Sequence, residues 1–411
     1  MISLKALFLS LDERVRGIRK HRLVHKTISI ALLPIELILS VLLFLTGIRA
    51  LRFTDPGRIG HLAAEPDIFL KVRLLSLRRW NRGVIIILHG TAANECLLDY
   101  WNQYFKVVCY PFWSRILVRL FRFPYLQYDV SRYTVAINQT APYIAVQRAW
   151  GNRPPLLALT EEHRREGQAR LAELGIPANA GLICFHCREG GYSTHDEHLN
   201  SFRNCSIENY LPAIAELTKR GFWCMRMGDP SMRRLPPMER VIDYVHSEIR
   251  SDRMDVFLCA SCCFFLGSAS GLRHVGSVFG KPSAVANQCP LSTALEFGLN
   301  DVAIPKLIWS DSEKRYLTFR EIFDSDAASF RYTPLFREHR IRPDENTPED
   351  VIHLALEMLE RLEGRTNYSQ EDEELQRRFK VLMRPGHYSY GGISRIGRDF
   401  LRKYAHLLEV R

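Results

Sequence analysis

Residues Gly181 to Arg188 read GLICFHCR and run on into Glu189-Gly190-Gly191, and residues Gly267 to Gly276 read GSASGLRHVG. Each is an apolar run of buried-strand length ending in small or polar residues, and the second has a helical pattern behind it. Where a strand hands over to a helix, loop and first-turn amides are left unpaired and carry a partial positive charge. Two such junctions in one chain point to a site for an anionic, phosphorylated ligand. Arg188 at the first junction and Arg273 at the second add guanidinium groups, which suit phosphate geometry.

Outward from these junctions the pattern repeats. Ser206 is expected to cap a helix that ends before Gly221, and Phe222 to Met227 forms the next strand, closed by Gly228-Asp229-Pro230. Met254 to Leu258 and Cys263 to Leu266 read as further short buried segments, Leu272 to Phe279 as a helix and Ser283 to Ala286 as a strand. Upstream, Arg58 to Lys71 opens a short helix at about His61. Gly83 to His89 and Phe105 to Tyr110 read as strands, and Trp113 to Phe121 as a helix. Pro154-Pro155 and the charged stretch Glu161 to Arg170 mark a linking helix. Thr318 and Thr347 begin helices, and the chain from there to Arg411 is mostly helical. Strands alternating with helices define an α/β chain with parallel sheets and crossover helices.

The 411 residues are 46% hydrophobic and 25% charged, a globular composition with room for two to three domains. Residues 1–52 hold nine Lys/Arg against three acidic residues, which places there six of the chain's eleven net positive charges. Such a concentration favours an anionic membrane surface over nucleic acid, and no nucleic-acid-binding module is recognisable. Ile28 to Ile48 is 21 residues long and nearly all apolar, enough to span a bilayer. Pro34 and Glu36 argue against a simple span, since a carboxylate at mid-membrane costs about 2.5 kcal/mol or more. The flanks are basic on both sides, and ten cysteines fit a reducing compartment. The expectation is a monotopic or re-entrant helix that returns to the cytoplasmic face and holds the lobes there, with a true span and a buried core helix as its alternatives. No small-x-small site follows the run, so a cleaved signal peptide is not expected.

Ligand sites in open parallel sheets lie at the carboxyl ends of strands. That rule gathers His186, Arg188, Gly190, Gly191, Asp229, Ser268, Ser270 and Gly271 at one crevice edge. His186 serves either chemistry or structural hydrogen bonding. His61 is a candidate general base, with helix capping as its plainer alternative. Cys184-x-x-Cys187 and Cys259-x-x-Cys262 have zinc-like spacing, but residues three apart on a strand point to opposite faces, so no metal site is expected. Asp243, Tyr244 and Asp255 are read equally as substrate ligands or as structural groups.

Taken in order, Arg58 to Ala63 (RIGHLA), His186 to Tyr192 (HCREGGY), Arg203-Asn204, Arg226 to Asp229 (RMGD), Ile242 to Tyr244 (IDY), Ser270 to Leu272 (SGL), Lys281-Pro282 and Asn287 resemble a family of bacterial glycosyltransferases of glycosyltransferase-B type. The resemblance covers roughly residues 53–410. The His186-x-Arg188 stretch is also similar to the first motif of fucosyltransferases, in which an arginine contacts the nucleotide diphosphate; here Glu189 replaces that motif's second arginine. The resemblance implies two Rossmann-like lobes facing one crevice. The chain is expected to divide into a basic leader with a membrane-associated helix (1–52), an acceptor-side lobe (53–178), a nucleotide-sugar-side lobe (179–335) and a C-terminal helical segment (336–411). The resemblance adds Gly60, Asn204, Arg226 and Asn287 to the substrate-binding set, with Arg188 and His61 in the catalytic roles.

The expected reaction moves a sugar from a nucleotide-sugar donor to a lipid-linked or cell-surface polysaccharide acceptor, with no cofactor beyond the donor itself. Its rival from another class is a non-catalytic membrane-bound subunit that binds nucleotide or glycan. A phosphoryl-transfer enzyme is disfavoured because no G-x-x-x-x-G-K-[ST] is present.

Overall fold

The structure, a computed structural model, describes residues 31–52, 55–76, 84–87, 92–109, 111–129, 140–191, 197–296 and 298–409. The basic leader to Lys26, the start of the apolar run at 28–30, His89 and Tyr192 lie outside the described residues.

Two compact units form, and each draws on several stretches of chain. Residues 1–52, 79–90 and 104–129 make the smaller; 53–78, 91–103 and 130–411 make the larger. These units cut across the expected divisions at 52/53, 178/179 and 335/336. The smaller unit carries a four-stranded parallel sheet of β1 (Arg49–Arg52), β2 (Val84–Ile87), β3 (Lys106–Val108) and β4 (Gln127–Asp129), in the order β3-β2-β1-β4. Residues 31–46 of the apolar run are helical, and the next turn leads straight into β1. Leu43 and Ile48 pack with Ala50, Phe121 and Leu126 in this unit's core, so the run is continuous with the first sheet.

Glu36, the carboxylate that argued against a span, is buried and ion-paired with Arg119 Nε and Arg122 Nη2, each at 2.7 Å. The apolar side chains around it point outward: Ile35, Ile38, Leu42 and Leu45 are each more than half exposed. Among the described residues no helix is long and apolar enough to cross a membrane.

The larger unit is built on β5 (Leu182–His186), β6 (Trp223–Arg226), β7 (Val241–Ile242), β8 (Phe264–Gly267), β9 (Ser283–Gln288) and β10 (Val302–Pro305). A three-stranded antiparallel sheet follows, formed by β11 (Leu307–Ser310), β12 (Arg315–Tyr316) and β13 (Ile341–Asp344). Late in the chain β14 (Arg395–Ile396) returns to pair with β10. The main sheet is parallel throughout and runs β14-β10-β9-β8-β5-β6-β7.

Every side chain of β5 is buried, as both-face-covered parallel strands require. Ile183 and Phe185 face Ile214, Leu217 and the helix Pro348–Leu362 in one continuous core. Each such side chain contributes about 1.5–3 kcal/mol by leaving water. Residues 336–411 therefore belong to this core and sheet and do not form a segment apart.

Local chemistry sets the element ends. Thr347 Oγ1 accepts from Asp350 N, and Asp350 Oδ2 accepts from Thr347 N, a reciprocal cap; Thr318 and Glu321 form the same device. Ser206 caps a single 3-10 turn, Ile207–Asn209, and the helix proper is Leu211–Lys219. Met254–Leu258 lies inside the helix Asp252–Ser261, because Ser251 Oγ accepts from Met254 N and acidic residues fill the first turn.

Candidate functional site

Strand order reverses at β5. The chain moves from β5 to β6 and β7 on one side, then crosses to β8, β9 and β10 on the other. Such a reversal leaves a crevice outside the strand ends, here between His186 of β5 and its register partner Gly267 of β8. A cavity of about 420 Å³ opens there, within the larger unit. Its wall includes His61, His186, Arg188, Asp229, Ser270 and Gly271 from the expected set, together with Gly60.

The helix Ile59–Leu75 starts at the same wall. Gly60 and Gly271 touch backbone to backbone: a Cβ on Gly60 would lie 2.7 Å from Gly271 Cα. No other residue allows that approach. The contact brings the first turn of a 17-residue helix beside the SASG loop. This is also why residues 59–75 group with the larger unit. His61 Nδ1 is bonded at 2.8 Å to Glu65 Oε1, one turn along, and the Glu65 carboxylate is buried. A carboxylate accepts only, so Nδ1 carries a proton, and in the neutral ring Nε2 is then the nitrogen with the lone pair.

His186 donates from Nδ1 to Met227 O at 3.0 Å, and burial pushes its pKa down to about 4. It is thus a neutral imidazole at pH 7, a polar wall group rather than a titrating one.

Arg188 is held by its neighbours. Its backbone N–H donates to Ser268 Oγ at 2.9 Å and its Nε to Asn204 Oδ1 at 3.3 Å, while Lys306 Nζ donates to Asn204 O at 2.6 Å. Ser268 and Asn204, expected as ligand contacts, position Arg188 and are not part of the cavity wall. Gly190 and Gly191 also stand off the wall. Gly191 has φ 107°, which favours glycine, and a Cβ on Gly190 would come within 3.1 Å of Glu197 Oε1.

Two expected residues are spent elsewhere. Arg226 is fully buried, with Nη2 2.6 Å from Glu189 Oε2 and Nη1 3.3 Å from Asp243 Oδ1. Asn287 Oδ1 accepts from Asn346 N at 2.8 Å and its Nδ2 donates to Tyr210 OH at 3.1 Å, in the interior. Arg273, counted as a phosphate cation, lines the cavity but is ion-paired with Glu296 at 3.0 Å.

The cavity also recruits residues outside the expected set. Arg58, Arg203 and Arg331 join Arg188 on its wall. The Arg203 guanidinium is lowered to about 10, first by desolvation and then by the positive charges of Arg188, Arg331 and Arg58, against Glu296. Four guanidinium groups therefore share one electrostatic neighbourhood. Arg58 and Arg203 stand in the RIGHLA and RN motifs, each next to or near a chosen residue. Arg331 had no signal. Asp255, also on the wall, is raised to about 6 by burial and accepts from Tyr244 OH at 2.8 Å.

The cysteines divide between the two faces of β5. Cys184 lies beside Cys259 and Cys262, whereas Cys187 Sγ is 3.2 Å from Cys205 Sγ. Among the described residues no group of three or more His, Cys, Asp or Glu side chains is placed to hold a metal ion.

No family model matches the chain, and no curated protein sequence matches it. Solved structures do. The glycosyl transferase family 9 protein from Veillonella parvula DSM 2008 aligns at 14% identity with TM-score 0.32, over 58% of this chain and 79% of that one. The E. coli ADP-heptose LPS heptosyltransferase II aligns at 13% identity with TM-score 0.34, over 62% and 89%. The dodecameric iron-containing heptosyltransferase TibC, solved with ADP-D-β-D-heptose, aligns at 14% identity with TM-score 0.30, over 58% and 57%.

Proposed function

We propose that the protein is a glycosyltransferase that moves a sugar from a nucleotide-sugar donor to a lipid-linked or cell-surface polysaccharide acceptor at a membrane. The observation that carries this reading is the gathering of Arg58, Arg188, Arg203 and Arg331 on one cavity wall at the strand-order reversal, beside the start of the helix Ile59–Leu75. Arg58 also pairs with Asp55 at 3.2 Å, and a nucleotide diphosphate would add several oxygens to the positive charge gathered on this wall.

In the proposed reaction the bond from the anomeric carbon to the β-phosphate oxygen breaks, and the acceptor oxygen takes its place. Arg188, Arg203 and the amides at Ser270-Gly271 offset the charge that grows on the leaving diphosphate, an effect worth about 3 kcal/mol per well-placed donor. His61 Nε2 takes the proton of the acceptor hydroxyl, and Glu65 holds the ring and stabilises the imidazolium. Asn204 and Ser268 keep Arg188 aimed. No cofactor beyond the donor enters the scheme.

The membrane part of the proposal rests on the outward apolar face of residues 31–46 and on the basic leader. With Glu36 neutralised by Arg119 and Arg122, this helix can lie in an anionic bilayer surface without desolvating a lone carboxylate. Inner membrane, cytoplasmic face, is the proposed location.

A thermal-shift panel of ADP, UDP, GDP, CMP and dTDP and their sugars tests the donor site. A ligand at a hundred times its Kd adds about 2.7 kcal/mol of stability. A clear hit followed by sugar transfer supports the enzyme; a hit without transfer to any glycan acceptor favours the non-catalytic subunit; no hit from folded protein sinks the donor site. In the same experiment, binding to vesicles containing anionic lipid but not to neutral ones supports the membrane reading.

A further inference from the structure

One side of the cavity differs from the arginine cluster. Glu296 and Gln288 line it together, and both are nearly fully buried, at 5% and 2% exposed. Glu296 Oε1 takes the bond from Arg273 Nη2 at 3.0 Å, which leaves Oε2 with no hydrogen-bond partner among the described residues. Gln288 Nε2 donates to Thr293 O at 3.3 Å and Thr293 Oγ1 at 2.6 Å, which fixes the orientation of the amide. Its Oε1 likewise accepts from no group among the described residues. The two side chains are neighbours: the Gln288 side chain hydrogen-bonds the Glu296 carboxylate and favours its charged form.

Two orphaned acceptors on one wall of one cavity ask for two donors from a ligand, since a buried acceptor left unmade costs about 1–3 kcal/mol. The donors must be neutral. Arg273, Arg203 and Arg331 all act on Glu296, and their combined field repels an ammonium group. Hydroxyls fit. They also belong close to the phosphates, because Arg203 and Arg331 serve Glu296 and the proposed diphosphate site alike. In a nucleotide-sugar the group bonded directly to the β-phosphate is the transferred sugar.

We propose that Glu296 Oε2 and Gln288 Oε1 are specificity-determining acceptors that take hydrogen bonds from hydroxyls of the donor sugar. This rests on the nucleotide-sugar reading above. It makes Glu296 and Gln288 the residues that tell one sugar from another, with the arginine cluster blind to sugar identity. A site built to bond a hydroxyl discriminates strongly against a ligand that lacks it, because its own buried groups are then left unpaired.

The test measures, on the full chain, Kd for each pair ADP and ADP-glucose, UDP and UDP-glucose, and GDP and GDP-mannose, in wild type, E296Q and Q288M. E296Q keeps an oxygen for Arg273; Q288M leaves Glu296 untouched, so each variant checks the other, with melting temperature as the folding control. The expected result is that wild type binds a nucleotide-sugar more tightly than its diphosphate, and that either variant cuts the ratio of sugar-form to diphosphate affinity about tenfold, with E296Q also tightening the diphosphate because it removes a carboxylate from the arginine cluster. Equal losses on both ligands would assign these acceptors to the base or ribose and overturn the proposal, with the nucleotide-sugar reading left standing. Unchanged sugar affinity in both folded variants would overturn it too. If wild type binds none of these six ligands and none of the wider nucleotide panel above, the donor reading falls and this inference falls with it.

Discussion

Arg188 and Arg226 stand at the carboxyl ends of adjacent parallel strands, β5 and β6, and their fates are opposite. Around Arg226 the chain supplies two carboxylates: Glu189 from the loop after β5 and Asp243 from the end of β7, with His246 Nδ1 completing the cluster 2.9 Å from Asp243. Around Arg188 it supplies amides and hydroxyls, namely Asn204 and Ser268, and more cations. The first arrangement closes on itself. The second leaves positive charge facing a cavity. Where a fold buries a cation and matches it with carboxylates it has built a cross-link, and where it holds a cation with neutral groups it has built a receptor for an anion.

Breaking the cross-link should give the largest effect. R226A leaves Glu189 and Asp243 without their partner, and such a loss costs about 3–5 kcal/mol. Urea unfolding of R226A should show that loss, while the protein that remains folded binds nucleotide diphosphate nearly as wild type does. A stability change under about 1 kcal/mol would mean the cluster is slack and the contrast false. R188A should do the reverse. We expect a loss of about 100- to 1,000-fold in kcat/KM for sugar transfer, or about 2.7–4 kcal/mol, with an unfolding midpoint close to wild type. Undiminished diphosphate binding by folded R188A would remove Arg188 from the site.

How far the sequence displayed this contrast depends on distance along the chain. The strand ends were readable because an apolar run that stops at a small or polar residue is a local signal, and His186, Arg188, Asp229, Ser270 and Gly271 all reach the cavity wall as expected. The partition of the two arginines was not readable. Glu189 reaches Arg226 across 37 positions and Asp243 across 17, so RMGD looks as available for phosphate as HCR does. Arg331 joins the site from far downstream, on no motif. Gly60 showed as a turn, but its contact with Gly271, which ties the helix Ile59–Leu75 to the larger unit, exists only in three dimensions. Met254–Leu258 misled for a different reason: a short apolar run has no period of its own, and the Ser251 cap made it helical.

The histidine beside Arg188 offers a test through pH. The folded pKa of His186 is lowered to about 4 by burial, against an ordinary value of 6.5. Between these values the unfolded chain binds the extra proton and the folded one does not. The contribution of His186 to stability is therefore complete above about pH 6.5 and is lost as pH falls toward 4, by about 3 kcal/mol in all. Asp255 runs the other way: its raised pKa, about 6, makes the folded state the tighter proton binder between about 4 and 6, and there it loses stability as pH rises. The clean observable is the difference between wild type and H186N across pH 4 to 7. It should change by an amount approaching that 3 kcal/mol; a flat difference would mean that His186 is solvated and that this end of β5 is less closed than the β6 end.

The smallest expected effect tests the comparison most finely. Asn204 contributes no charge, yet its Oδ1 is the acceptor for Arg188 Nε and its carbonyl anchors Lys306. N204A keeps the backbone carbonyl and removes the side-chain acceptor for Arg188 together with the Nδ2 donor to Glu197. The guanidinium keeps its charge but loses one neutral hydrogen bond, worth about 1 kcal/mol, so diphosphate affinity should weaken about fivefold. Substituting Asp at the same position makes the opposite change. It pairs Arg188 with a carboxylate, as Arg226 is paired, and should weaken the anion site far more than alanine does, at some cost in stability because the new carboxylate meets Glu197 Oε1 where Asn204 Nδ2 had donated. If N204D binds diphosphate as well as N204A, the identity of an arginine's partner does not decide its role, and the distinction between β5 and β6 rests on the cavity alone.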